Sequence, residues 1–207
     1  MAIKPNREYR NLGNFETRDA KEGYTVSGYA STFEPYLLFE EDGFEFYEEI
    51  DPHAFDNADM SDVVFLRDHT GSVLARTRNG SVKLSVDNHG LFQETNLGLT
   101  ETARDRYEDI EVGNYQQMSF SFIVGSDRFI EEGSRIIRHI DSIKKLFDVS
   151  AVAFPQNPTT DIGVSYRSLF DGVIEQREAE RLKAEKRARD IAKLKLKIKL
   201  EENVHGN

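Results

Sequence analysis

The sequence predicts a mainly β chain, with antiparallel strands packed as a barrel or sandwich, one helix among them and a charged helix behind them. Three observations carry this. Short runs alternating apolar and polar residues recur between residues 24 and 154, and period-two alternation marks half-buried strands. Those runs are too closely spaced for the crossover helices of parallel βαβ units. From about residue 168 the alternation yields to charge-laced helix formers.

Residues 1–13 are polar and read as a loose N-terminus. YTVSGYASTF (24–33) has strand character, and LFEEDGFEFYEEI (38–50) alternates around Asp42-Gly43, a hairpin signal. DPHAFDNADM (51–60) reads as a turn plus a short helix, and VVFL (63–66) as a short buried strand ending in RDHTG. SVKLSV (81–86), the turn DNHG and LFQETNL (91–97) form a second hairpin. TETARDRYEDIEVG (100–113) is helical, capped by Thr100 or Thr102 and stopped by Gly113. QMSFSFIV (117–124), SRIIRHI (134–140) and LFDVSAVAF (146–154) complete about seven strands, and PQNPTTDIG (155–163) is loop.

The domain reading is an N-terminal segment 1–13, a body 14–167 and a tail 168–207. In the tail, Ala184, Ala188 and Ile191 make a narrow apolar stripe at helical spacing. KLKLKIKL (193–200) alternates with period two and conflicts with a continued helix, so residues 194–207 stay unassigned. The tail reads as a solvated helix or, more sharply, as one that docks on another chain.

Charge is unevenly spread. Residues 171–207 carry 10 Lys/Arg against 8 Asp/Glu, whereas the rest carries 17 against 29. An acidic body repels phosphate, which argues against a nucleic-acid partner. The chain has no cysteine, so disulfides, thiolate nucleophiles and Cys-ligated zinc are excluded. MAIKPNREYRNLG offers no apolar signal stretch, and no run approaches the ~20 apolar residues of a membrane helix. The expectation is a soluble protein of a cytosol, with no membrane partner.

Without cysteine, covalent chemistry needs Ser, Thr, Lys or a carboxylate. None of His53, His69, His89, His139 and His205 lies in an HExxH or HxH arrangement, so no metal or other cofactor is expected. His69 and His89 sit in turn sequences and His53 and His205 carry no signal, while His139 alternates with Ile137 in a strand. Asp148 interrupts the apolar run LFDVSAVAF, where a carboxylate needs a partner or a solvated face. Ser119 and Ser121 share one face of a strand, about 6.5–7 Å apart. One histidine cannot serve both, and alternation does not choose between them.

Several stretches together resemble the HK97-type prohead (procapsid) proteases of tailed phages. VSGYASTF, IDPHAFDNA, VVFLRDHTGSVLARTRNGSVKLSVDNHGLFQETNL, QMSFSF and LFDVSAVAFPQNPTT are similar to that family's successive blocks, in order, over about residues 14–165. The resemblance implies a serine endopeptidase with a small closed β-barrel and peripheral helices, of the type found in herpesvirus assembly proteases. It assigns His69 in FLRDHTG as base, Ser119 in MSFSF as nucleophile and Asp148 in LFDVSAV as the orienting acid. The implied substrates are scaffold protein, the scaffold-like segment of the major capsid protein, and the protease itself. The implied place is the inside of the immature capsid in the host cytoplasm, and a homodimer is compatible.

Four positions depart from the family pattern. Ser121 and Ala75 stand where Gly is usual, Asp148 replaces a commoner Glu, and His53 also stands at a Gly position. Two rival readings remain open. One is a degenerate protease or scaffold-like assembly protein that keeps the fold. The other is a metal-dependent hydrolase using His69, Asp68 and His139.

Overall fold

A computed structural model of the chain describes residues 7–20, 23–153 and 169–205. Contacts divide the chain into two units, Met1–Gly163 and Val164–Asn207. The first holds β1 (Glu8–Asn14), β2 (Glu16–Ala20), β3 (Gly23–Thr32), β4 (Tyr36–Glu41), β5 (Phe44–Ile50), β6 (Val64–Arg67), β7 (Thr70–Arg76), β8 (Val82–Val86), β9 (Gly90–Asn96), α1 (Glu101–Glu111), β10 (Gln117–Glu132) and β11 (Arg135–Val152). The second holds α2 (Asp171–His205). The chain is thus mainly β with a C-terminal helix.

Two sheets make the body. One has the order β1-β10-β11-β5-β4, with β6 also paired to β11 and β7 to β6; the other runs β2-β3-β9-β8. Among the described residues these ladders do not close into a ring, so the closed barrel is not among the pairings seen. Phe65, Met118, Phe120 and Phe122 of the first sheet share one core with Val26, Val82 and Leu91 of the second. Phe120 and Phe122 stack with centroids 4.8 Å apart. They lie two apart on β10, so both leave the same face, and Ser119 and Ser121, which alternate with them, leave the other.

Local chemistry fixes the turns. Asp42 and Gly43 both have positive φ, and Glu41 faces Phe44, which makes the two-residue hairpin expected of Asp-Gly. In DNHG, the Asp87 carboxylate accepts the His89 and Gly90 N–H groups at 2.8 and 3.0 Å. A Cβ on Gly90 would lie 1.9 Å from the Ser31 carbonyl, so that close approach of β9 to β3 needs glycine. The Thr100 hydroxyl caps α1 by accepting the Ala103 N–H at 3.1 Å.

The structure differs from the sequence reading in five places. Residues 8–14 form β1 on the edge of β10. Their polar character misled, because Arg10 is buried and Glu8 half-buried by pairing rather than by hydropathy. Arg10 grips Glu48 through Nε and through Nη2 at 2.6 Å, and Arg138 Nη1 binds Glu48 at 2.9 Å and Glu8 at 2.6 Å. TGSVLAR also forms a strand, β7, and residues 52–57 are turns rather than a short helix. The runs 134–140 and 146–154 belong to one long strand, β11, which pairs in parallel with β5 and β6, so the sheet is not purely antiparallel. Alternation reports which side chains share a face but not which strand lies alongside. Finally, α2 runs through KLKLKIKL to His205, so helix propensity overrides the period-two pattern. Its described residues from Arg181 to Lys195 are all exposed, including Leu182, Ile191 and Leu194. The loop read at 155–163 falls outside the described residues.

Candidate active site

β10 and β11 pair antiparallel with Ser119 opposite Ser150 and Ser121 opposite Asp148. Paired residues project to the same side of a sheet. The two serines of QMSFSF and the Asp148 and Ser150 of LFDVSAV therefore make one polar square. Immediately beyond it the register slips, because Phe122 faces Leu146 and Phe147 is left as an extra residue. Such a bulge bends a strand and re-aims its side chains.

The imidazole enters from a third strand. β6 runs parallel to β11, with Leu66 beside Ser150 and Arg67 beside Ala151. The chain then reverses through Asp68-His69, with Arg67 opposite Thr70. Both turn residues have positive φ, +48° and +57°. This is a two-residue turn whose twist suits a hairpin, and Asp and His are among the side chains that tolerate it. Asp68 moors the hairpin to the end of β11. Its N–H donates to the Ala151 carbonyl at 2.9 Å, and its carboxylate accepts the Ala153 N–H at 3.2 Å.

The result is a continuous hydrogen-bonded chain. His69 Nε2 lies 2.6 Å from Ser119 Oγ, and His69 Nδ1 lies 2.6 Å from Asp148 Oδ1. With Asp148 ionised, Nδ1 carries the proton and donates it, which leaves the Nε2 lone pair facing the hydroxyl. Ser121 does not meet the imidazole. Its hydroxyl donates to Asp148 Oδ2. Ser119 thus bonds the ring and Ser121 bonds the acid.

Asp148 is buried, and burial alone would raise its pKa. The bond and charge of His69, followed by the Ser121 and Ser150 hydroxyls, more than offset this and hold the carboxyl below the usual range. Ser150 Oγ donates to Oδ1 at 2.6 Å. Arg7 Nη2 also donates to Oδ2. The Tyr9 ring meets His69 edge-on at 4.7 Å. Ser119 and Asp148 expose none of their surface, and the His69 side chain keeps 10%. Surrounding side chains must shift before a substrate carbonyl can reach Ser119 Oγ.

The sequence reading weighed Ser121 only as the alternative nucleophile to Ser119, and it did not nominate Arg7, Tyr9 or Ser150. For Ser150 a signal existed, since it lies two residues beyond Asp148 on one strand and so shares its face. For Arg7 and Tyr9 there was none, because nothing marked residues 8–14 as a strand.

The other histidines lie elsewhere. His139 pairs with Glu49 through Nδ1, and its Nε2 lies 3.2 Å from Asp51. His53 and His89 are exposed, and the His205 side chain is outside the described residues. Asp68 and His139 are thus engaged away from the His69 imidazole. Among the described residues no group of three or more His, Cys, Asp or Glu could hold a metal ion. No helix among them is long and apolar enough to cross a membrane.

The family described as caudovirus prohead serine protease matches residues 13–172. No curated protein and no solved structure matches the chain.

Proposed function

Because the chain belongs to the caudovirus prohead serine proteases, and is thus a serine peptidase of capsid maturation, we propose that Ser119, His69 and Asp148 are its nucleophile, base and orienting acid. The observation that carries this is the pair of 2.6 Å contacts linking Ser119 Oγ to His69 Nε2 and His69 Nδ1 to Asp148 Oδ1. Three side chains separated by 50 and 79 residues meet with the spacing proton transfer requires.

In this reading Ser119 Oγ attacks the scissile carbonyl carbon while its proton passes to His69 Nε2. The imidazolium then protonates the leaving amine nitrogen as the C–N bond breaks. Water, deprotonated by the same nitrogen, releases the acyl group and restores Ser119. Asp148 stays ionised throughout. It fixes the tautomer and stabilises the imidazolium. Positioned proton transfer of this kind contributes on the order of 10²–10⁴-fold. The shorter acid reaches the ring because β6, β11 and β10 are adjacent and the hairpin folds back over them.

The proposed substrates are scaffold protein, the scaffold-like segment of the major capsid protein, and the chain itself, cleaved inside the immature shell. Family membership supports capsid proteins as the targets. The exposed helix α2 suits a segment that docks on scaffold and carries the enzyme into the shell. The test is to incubate the purified chain with scaffold and major capsid protein and follow fragments by mass spectrometry. Wild type is expected to cut both and Ser119→Ala neither. Equal fragments from the variant would contradict the assignment.

A further inference from the structure

We propose that Arg7, acting directly and through Ser121, is a positioning residue that locks the Asp148 carboxylate and so keeps the His69 imidazole aimed at Ser119. The inference rests on the triad reading above and adds a fourth and fifth member to it.

The two carboxylate oxygens carry different loads. Oδ1 accepts from His69 Nδ1 and from Ser150 Oγ, each at 2.6 Å. Oδ2 accepts from the Ser121 hydroxyl and from Arg7 Nη2. Arg7 also grips Ser121 Oγ, through Nε at 3.0 Å and Nη2 at 2.6 Å. Four donors thus hold a group that otherwise rotates about its terminal bond, and the oxygen facing the imidazole has no freedom to exchange with the other.

Arg7 is itself held. Its guanidinium carbon lies 4.4 Å from the Phe147 ring centroid and 5.4 Å from that of Tyr9. Phe147 is the bulged residue beside Asp148, and Tyr9 is the ring that meets His69. The strand that begins beside Arg7 is pinned from its other face by the buried Arg10–Glu48 and Glu8–Arg138 pairs. Serine at position 121 supplies the hydroxyl that the guanidinium needs. A glycine there would leave Arg7 with Asp148 alone.

The consequence is one of orientation. With Oδ2 held by Arg7 and Ser121, Oδ1 stays directed at His69 Nδ1 and the ring stays aimed at Ser119 Oγ. The remaining groups that face this pair are Ser119, Ser150 and Tyr9, with Arg67 and Asp68 in the hairpin that carries the ring. The Arg7 side chain is 36% exposed, so solvent screens its charge and the effect of losing it is modest.

The experiment measures the second-order rate at which a serine-directed fluorophosphonate labels the full chain, beside the melting temperature of each variant. The probe needs no known peptide sequence. Mapping of the adduct to Ser119 in wild type establishes the triad reading first; without that adduct, triad and positioning readings fall together. With it, Arg7→Gln is expected to lower the rate about tenfold, the scale of one charge-assisted hydrogen bond. Arg7→Lys keeps the charge and loses the fork, so the rate should recover in part although the two variants melt alike. No recovery in Arg7→Lys, with a rate loss that only follows the loss of folded protein, would mean a merely structural role and would overturn the proposal while sparing the triad. A faster Arg7→Gln would also overturn it, because Arg7 would then hold the site shut. If Arg7→Gln fails to fold, Arg7→Lys alone decides, since an unchanged rate in that variant would contradict the positioning role.

Discussion

Asp148 lies directly across the β10–β11 ladder from Ser121, two residues out of register with Ser119, and the His69 imidazole bridges that offset. Facing residues across a ladder are close enough for Ser121 to bond the acid directly. The diagonal neighbours are about 7–8 Å apart at their backbones, which leaves room for one ring between Ser119 and Asp148. Two serines on one face of one strand therefore have different partners.

The sharpest consequence concerns those serines. Ser119→Ala should abolish cleavage and leave thermal unfolding nearly unchanged. Ser121→Ala should retain cleavage with a loss of about tenfold or less, the scale of one hydrogen bond to the carboxylate. Side-by-side turnover and melting curves decide. Complete loss in Ser121→Ala alone would move the nucleophile to position 121.

Asp148→Asn should lower the turnover number about 10³–10⁴-fold, because an amide no longer fixes the Nδ1–H tautomer. The same residue makes a pH prediction. The folded carboxyl sits below its ordinary value, as does that of Glu8, which burial would raise but Arg138 and Arg10 pull down. A depressed folded pKa gives stability that is complete above the unfolded value of about 4 and is lost as pH falls through the folded one. Melting temperature should thus fall as pH drops below about 4. The drop should be smaller in Asp148→Asn, which has no proton to bind there; equal slopes would contradict it.

The hairpin that delivers the imidazole makes a conformational prediction. Asp68→Val places a β-branched side chain at φ +48° and removes the carboxylate that holds Ala153 N–H. The strain alone costs about 1–2 kcal/mol. Activity should fall well beyond the stability loss because His69 is displaced, whereas Asp68→Asn, which tolerates the same backbone, should stay within a few-fold of wild type. Kinetics together with urea unfolding test this. Equal activities in the two variants would show that the turn does not aim the ring.

β1 is held by charge, so breaking that charge should be costly. Glu48 is fully buried between Arg10 and Arg138. Glu48→Gln leaves two buried guanidinium groups short of a counter-charge, and breaking such a pair costs about 3–5 kcal/mol. Urea unfolding of the variant should show that loss, and hydrogen exchange should rise first along residues 8–14.

Much of the candidate site was legible in the sequence. Asp148 stood out as a carboxylate in an apolar strand, and the resemblance of FLRDHTG, MSFSF and LFDVSAV to family blocks nominated His69, Ser119 and Asp148 together. Alternation alone could not separate Ser119 from Ser121, since both leave the same face and the deciding fact is the register of another strand. Arg7 was invisible for a different reason. A polar N-terminal stretch reads as loose unless its charges have buried partners, and those partners, Glu48 and Arg138, lie far along the chain. The parallel pairing of β11 with β5 and β6 was equally out of reach, because a strand's period says nothing about its neighbours. For α2 the local alternation of KLKLKIKL pointed away from the helix that forms.

The most direct test of the central claim is the position of a covalent adduct. The full-length chain, treated with a serine-directed fluorophosphonate and digested, should carry the label on the peptide containing Ser119, and His69→Ala should lose it as completely as Ser119→Ala. An adduct on Ser121 or on another serine, or undiminished labelling in His69→Ala, would contradict the account.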